Sequence, residues 1–181
     1  ALRLVGSEMC IRDSVYGIPL AEIKQRLASF KGVKRRFSYK IKTDDLVLID
    51  DYAHHPTEIK AVESSVREMY PGEKFLVIFQ PHLFSRTRDF INDFAKALSK
   101  FDEVVLLDIY PARELPIEGV DSSWLLSKIN NKHKKLVQKN NLVKVIKNSD
   151  AKVVVMLGAG DIGTIINDIK TELLNYINNE V

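Results

Sequence analysis

LVLIDDYAHHPTE, residues 46–58, decides the fold. Leu46, Val47, Leu48 and Ile49 are apolar without alternation, the pattern of a strand covered on both faces in a parallel sheet. The run breaks into Asp50, Asp51, Tyr52, His54 and His55 within six residues. Pro56 suits a first helical position, where its missing N–H removes no bond, and Glu58 brings a carboxylate to the helix start. The stretch therefore reads as strand, polar loop, helix. It sets acids, a phenol and two imidazoles at the carboxyl end of a strand, the edge where open α/β sheets bind ligands.

Downstream, the alternation continues. The spacing predicts helices over Pro56–Met69 (Ile59, Val62, Val66 and Met69 on one face), Asp89–Lys100, Ser122–Ile129 and Leu142–Lys147. It predicts strands over Phe75–Gln80, Glu103–Asp108, Leu136–Gln138 and Lys152–Leu157, and a final helix to about Asn178. Such a chain forms right-handed βαβ crossovers. The expected fold is α/β: a Rossmann-like, mostly parallel sheet with helices on both faces. Upstream, Leu20, Ile23, Leu27 and Phe30 share a helical face, predicting one amphipathic helix within Ile18–Phe30. Residues 1–14 share no period with the neighbouring VYGIPL segment and are expected to be a non-native or disordered leader outside the fold.

A chain of 181 residues can bury roughly 70% of its unfolded surface. Hydrophobic content of 45% and charged content of 28% are ordinary for a globular protein. The single cysteine, Cys10, excludes an internal disulfide and suits a reducing compartment. No apolar run reaches the length of a membrane span, so a cytoplasmic protein is expected. Lys31–Lys42 carries six basic residues: Lys31, Lys34, Arg35, Arg36, Lys40 and Lys42. They suit a solvated strand edge, or a phosphate contact from one of the arginines. Aromatics do not interleave there densely enough for a stacking platform, and the net charge of +3 is mild, so no nucleic-acid partner is expected.

Three loops leave strand ends with polar content: DDYAHHP (Asp50–Pro56), QPHLFSRTR (Gln80–Arg88) and YPARE (Tyr110–Glu114). In one sheet they would share an edge, and His54, His55, His82, Arg86, Arg88 and Asp51 could line one cleft. Guanidinium groups there suit phosphate or carboxylate; a carboxylate suits ribose hydroxyls or a metal. Adjacent histidines cannot easily both reach one ion from a loop, so no metal site is expected. GAGDIG, Gly158–Gly163, matches G-x-G-x-x-G and raises an NAD(P)-binding alternative, but the acid expected about 20 residues later would fall beyond any further strand. A tight turn and close helix packing explain those glycines better. No G-x-x-x-x-G-K-[ST] loop occurs.

Taken together, FKGVKRRF (Phe30–Phe37), DDYAHHPTEI (Asp50–Ile59), FQPHLFSRTRDF (Phe79–Phe90), LLDIYPARELPIEGVDS (Leu106–Ser122) and LGAGDI (Leu157–Ile162) resemble the Mur ligases. The resemblance implies three domains, with residues 31–181 as the C-terminal Rossmann-like one and residues 15–30 as a tail helix of a missing central ATPase domain. It also accounts for the lack of a phosphate loop. In the family, ATP phosphorylates the carboxylate of the UDP-sugar precursor and an amino acid attacks the acyl phosphate. DDYAHHPTE points to L-alanine and UDP-N-acetylmuramate as substrates, with Mg2+ held mainly by the central domain. By motif, the resemblance puts Arg36 near the terminal phosphate of ATP, Asp51 and Tyr52 on its ribose or adenine side, and His54, His82 and Arg86 at the alanine site. Leu83 and Phe84 stand where the family often has Arg and Tyr, leaving Arg88 as the candidate replacement for one guanidinium. Arg113 stands where Gly is common.

Overall fold

The computed structural model describes residues 17–30 and 33–179, with side chains of the last helix to residue 177. The expected leader lies outside the described residues. The chain divides into two compact units, Ala1–Val33 and Lys34–Val181. In the first, helix α1 (Leu20–Ala28) carries an exposed Glu22–Arg26 ion pair one turn apart. Of its expected apolar stripe Ile23 is buried, while Leu20 and Phe30 are exposed.

The second unit is one six-stranded sheet: β1 (Ser38–Lys42), β2 (Val47–Asp51), β3 (Phe75–Phe79), β4 (Glu103–Leu106), β5 (Lys134–Leu136) and β6 (Val153–Leu157). Its spatial order is β1-β2-β6-β3-β4-β5, parallel except for β1, which pairs antiparallel with β2 through a bulge near Tyr39. Of the basic segment, Ser38–Lys42 forms an edge strand. The other helices are α2 (Pro56–Met69), α3 (Phe84–Asp89), α4 (Ile91–Leu98), α5 (Ser122–Lys128), α6 (Leu142–Lys147) and α7 (Ile162–Asn179).

Period-two side-chain alternation sends each central strand to two cores. Ile49, Val77, Phe79, Val104 and Val155 pack with Ile59, Val66, Phe94, Leu98 and Leu125 of α2, α4 and α5. Leu48, Leu76, Ile78, Val154 and Met156 pack with Leu142, Ile146, Ile166 and Ile169 of α6 and α7. Both faces are covered, which is why the strands read as unbroken apolar runs. Each fully buried aliphatic side chain contributes about 1.5–3 kcal/mol. Handedness assigns the helices: the chain steps from β2 to β5 in one direction over one face, then reverses to insert β6 and places α6 and α7 on the other.

Three details depart from expectation. The helix expected from Asp89 starts earlier, as α3, and breaks at Phe90 before α4. Strand β5 lies two residues upstream of its expected place, because Lys134–Leu136 is the segment that pairs with Val104–Leu106. Met69, the last residue of α2, is 50% exposed, with the Tyr39 hydroxyl 3.8 Å from its sulfur.

Candidate functional site

Parallel register sets the strand ends level: Leu157 lies opposite both Asp51 and Phe79, and Phe79 opposite Leu106. Loops after β2 and β3 turn towards one face, and the turn after β6 towards the other. The crevice between them is a topological switch point, where such sheets take ligands.

The loop after β2 is closed by a cap. Glu58 in the first turn of α2 accepts from the amides of His54 (2.8 Å) and His55 (3.1 Å), and the His55 ring accepts from the Thr57 amide (3.3 Å). Burial raises the Glu58 pKa, but those amides and the charges of His54 and Arg36 outweigh it and hold the carboxyl below its usual range. His54 Nδ1 lies 3.0 Å from the Tyr52 carbonyl and 3.4 Å from Glu58, both acceptors, so in the neutral ring geometry assigns the proton to Nδ1 and Nε2 is the acceptor.

The loop after β3 brings the partners. The rings of His54 and His82 are 6.1 Å apart, and His82 stacks on Tyr110 at 5.6 Å. Arg86 donates towards His82 Nδ1 at 3.5 Å; guanidinium can only donate, so His82 keeps its proton on Nε2. Burial, then the charges of Arg86 and His54, depress the His82 pKa against a weaker lift from Glu114. His54, His82 and Arg86 are therefore together. His55 is turned to its cap and to the Phe90 ring, 4.8 Å away, and exposed Arg88 pairs with Asp89 at 2.8 Å.

The third loop supports the second. The Leu83 amide donates to the Tyr110 carbonyl (3.0 Å) and the Tyr110 amide to the Pro81 carbonyl (2.8 Å), extending the β3–β4 pairing beyond the sheet. Glu114 accepts from the Ser85 hydroxyl and, at 3.0 Å, from its amide; those bonds draw its pKa down. Sequence patterning assigns no individual role to Tyr110 or Glu114; the polar content of YPARE is the only signal it carries for them. Arg113 is exposed.

Segment 35–37 meets the β2 end. Asp51 is 6% exposed and accepts from the amides of Phe37 (2.6 Å) and Ala53 (2.8 Å), so its carboxylate shapes the loop. Asp50 faces the other way, 1% exposed, with Arg35 at 3.2 Å and Lys40 at 3.5 Å. Arg36 stays 56% exposed, 5.8 Å from the centre of the partly exposed Tyr52 ring and 3.9 Å from Glu58.

The glycine turn is filled from inside. Gln80 accepts from the Ile162 amide (2.9 Å) and donates to Asp161 (2.7 Å), which also pairs with Lys139 at 2.5 Å. Burial raises the Asp161 pKa, and Lys139 and Gln80 more than reverse it. A Cβ at Gly158 would come within 2.9 Å of the Gln80 carbonyl, and one at Gly160 within 2.7 Å of Tyr110. A groove of ≈ 540 Å³ lies beside this packing, with Gln80, Asp108, Tyr110, Lys139 and Asp161 among its walls.

Among the described residues no group of three His, Cys, Asp or Glu side chains is placed to hold a metal ion. An exposed guanidinium beside an aromatic face does fit a nucleotide phosphate and ring. Among the described residues no helix is long and apolar enough to cross a membrane.

Sheet order and the switch-point crevice define a Rossmann-like α/β domain whose rim carries His54, His82 and Arg86. Residues 35–162 match the family model described as Mur ligase, glutamate ligase domain, and the chain belongs to that family. It is 65% identical over 158 residues to the UDP-N-acetylmuramate–L-alanine ligase of Flavobacterium psychrophilum, covering 87% of this chain and 35% of that protein. It is 66% identical over 160 residues to the enzyme of that name from Christiangramia forsetii, covering 88% and 35%. The crystal structure of UDP-N-acetylmuramate–alanine ligase from Thermotoga maritima superposes with a TM-score of 0.67 at 31% identity, covering 94% of this chain and 36% of that one. The chain thus spans about a third of the length of the relatives it matches.

Proposed function

We propose that this chain is the C-terminal part of an ATP-dependent ligase that joins L-alanine to UDP-N-acetylmuramate, a cytoplasmic step of peptidoglycan precursor synthesis. Residues 15–30 are then the tail of a central ATPase domain that lies upstream with the nucleotide's phosphate loop and its Mg2+, and this part alone has no turnover. One observation carries the reading: His54, His82 and Arg86 converge from two loops at the switch point, in a chain of this family.

The geometry suits a small amino acid. Arg86 and the Nε2–H of His82 are donors for its carboxylate, and His54 Nε2 is an acceptor for its amine. Holding both ends fixes the direction from which nitrogen meets an acyl phosphate, and positioning of that kind lowers the barrier without forming a bond to the protein. Arg36, standing over Tyr52, neutralises phosphate charge that builds as the tetrahedral intermediate collapses. Asp51 acts behind Tyr52 by holding the loop that presents it on the ribose or adenine side.

The test uses the full-length enzyme. Arg86→Ala should raise the KM for alanine by roughly 30-fold or more, as expected for loss of a charge-assisted carboxylate contact, and leave the KM for ATP within about twofold. An unchanged alanine KM removes Arg86 from the site.

A further inference from the structure

Arg35 and Arg36 are adjacent and chemically identical, yet the fold treats them oppositely. Arg35 has φ +57° and Phe37 φ +46°, so the segment turns sharply instead of continuing as a strand. That turn is bonded to the β2 end on both sides. The Tyr52 amide donates to the Arg35 carbonyl at 2.8 Å, and the Phe37 amide donates to Asp51 at 2.6 Å. The Arg35 guanidinium then runs inward while that of Arg36 stays in solvent.

Four groups receive it. Its Nε donates to buried Asp50 at 3.2 Å, and a terminal nitrogen donates to the Gly158 carbonyl at 2.5 Å. Its carbon centre lies 5.2 Å from the middle of the Tyr52 ring. A Cβ added at Gly163 would collide with the guanidinium itself. Lys40 already supplies a cation to Asp50, so charge balance alone does not explain Arg35. What Arg35 adds is reach: a planar fork can hold the carboxylate and the carbonyl of the neighbouring turn at once, which a lysine ammonium does not reproduce.

We infer that Arg35 is a positioning residue for the nucleotide side of the site, clasping the β6 turn to the β2 loop and backing the Tyr52 ring over which Arg36 stands, and that Gly163 is glycine to seat its guanidinium. The role in nucleotide placement rests on the functional reading above; the seat itself does not. The last glycine of GAGDIG, which from sequence served helix packing, thus serves an arginine 128 positions earlier in the chain.

Two measurements test it, with variants chosen to fold. Arg35→Lys keeps a cation on Asp50, and Gly163→Ala removes nothing. First, in nitrogen-15 spectra of this chain, Gly163→Ala should abolish the exchange-protected Arg35 Nε–H signal and shift the Tyr52 ring resonances, while amides of β3 such as Val77 stay in place. An unchanged Arg35 signal overturns the seat. Second, in the full-length enzyme, Arg35→Lys and Gly163→Ala should each raise the KM for ATP about tenfold, with the alanine KM within about twofold and the double variant no worse than either single one. Additive losses, or equal rises in both KM values, overturn the positioning role. A wild-type full-length enzyme that does not couple alanine to ATP cleavage overturns the functional reading and that role together, and leaves the first measurement to decide the seat.

Discussion

Strands β3 and β6 are neighbours and end level, at Phe79 and Leu157, yet the segments that leave them are opposites. After β3, the half-buried His82 and Arg86 hold one long contact, between themselves. After β6, the Gly158 carbonyl is held by Arg35, the Ile162 amide by Gln80, and Asp161 by Gln80 and Lys139. A glycine fingerprint at a switch point is therefore not a binding loop by itself. Here the glycines let side chains from three other segments close over the turn, and the closed turn lies beside the β3 loop.

If the β6 turn is filled rather than vacant, adding one carbon should disrupt it. Gly158 has φ +146° and backbone 2.9 Å from a new Cβ; Gly160 would meet Gln80 and Tyr110. Gly158→Ala and Gly160→Ala should each lose about 3 kcal/mol in urea unfolding, combining overpacking with, at Gly158, a strained backbone. Losses under about 0.5 kcal/mol would mean the turn has room. In the same vein, NADH titration followed by energy transfer from Trp124 should show no saturable micromolar binding, and clear binding would reopen the dinucleotide reading.

Much of this contrast could be read before any coordinates, and the unread part has identifiable causes. Unbroken apolar runs at Leu46–Ile49, Phe75–Phe79 and Val153–Leu157 announce strands buried on both faces, because only a doubly covered sheet makes them stable. The convergence of His54, His82 and Arg86 followed from placing two polar loops at strand ends. Strand order was not legible: insertion of β6 between β2 and β3 depends on contacts across more than 70 residues, and periodicity is blind to them. Neither were the different fates of Arg35 and Arg36, or of Asp50 and Asp51. Adjacent identical residues carry the same local signal, and only the tertiary environment decides which is buried. Helix α3 was missed because FSRTRD has no apolar stripe; its first turn is secured from outside, by Glu114.

A second substitution probes how the two segments are joined. Gln80 is 2% exposed and belongs to the β3 side, but both ends of its amide serve the β6 side. Gln80→Leu keeps the volume and leaves the Ile162 amide without its acceptor, so it should cost about 2 kcal/mol. If the two segments were independent, the loss would be smaller than about 0.5 kcal/mol, and Lys139 and Asp161 would report no change in their amide shifts.

The smallest effect concerns protons on the β3 rim. His82 titrates below the ordinary histidine range because burial, then Arg86 and His54, disfavour its charged form. Unfolded, it takes a proton near pH 6.5. Between that value and its folded midpoint the unfolded chain binds a proton that the native chain does not, so His82 makes stability fall as pH drops through this window and level off below the folded midpoint. Glu58 and Asp161, whose native pKa values lie below those of the unfolded carboxyls, act lower: their contribution is complete above the unfolded carboxyl range and lost as pH falls through their folded values. Proton NMR of the His82 ring separates the two windows. Its midpoint should lie below 6.5, rise in Arg86→Ala, and drop further in Glu114→Gln, which removes the one carboxylate that lifts it. A midpoint indifferent to Arg86 would show that the guanidinium faces away from the imidazole in solution, and the 3.5 Å contact between them would be struck from the rim.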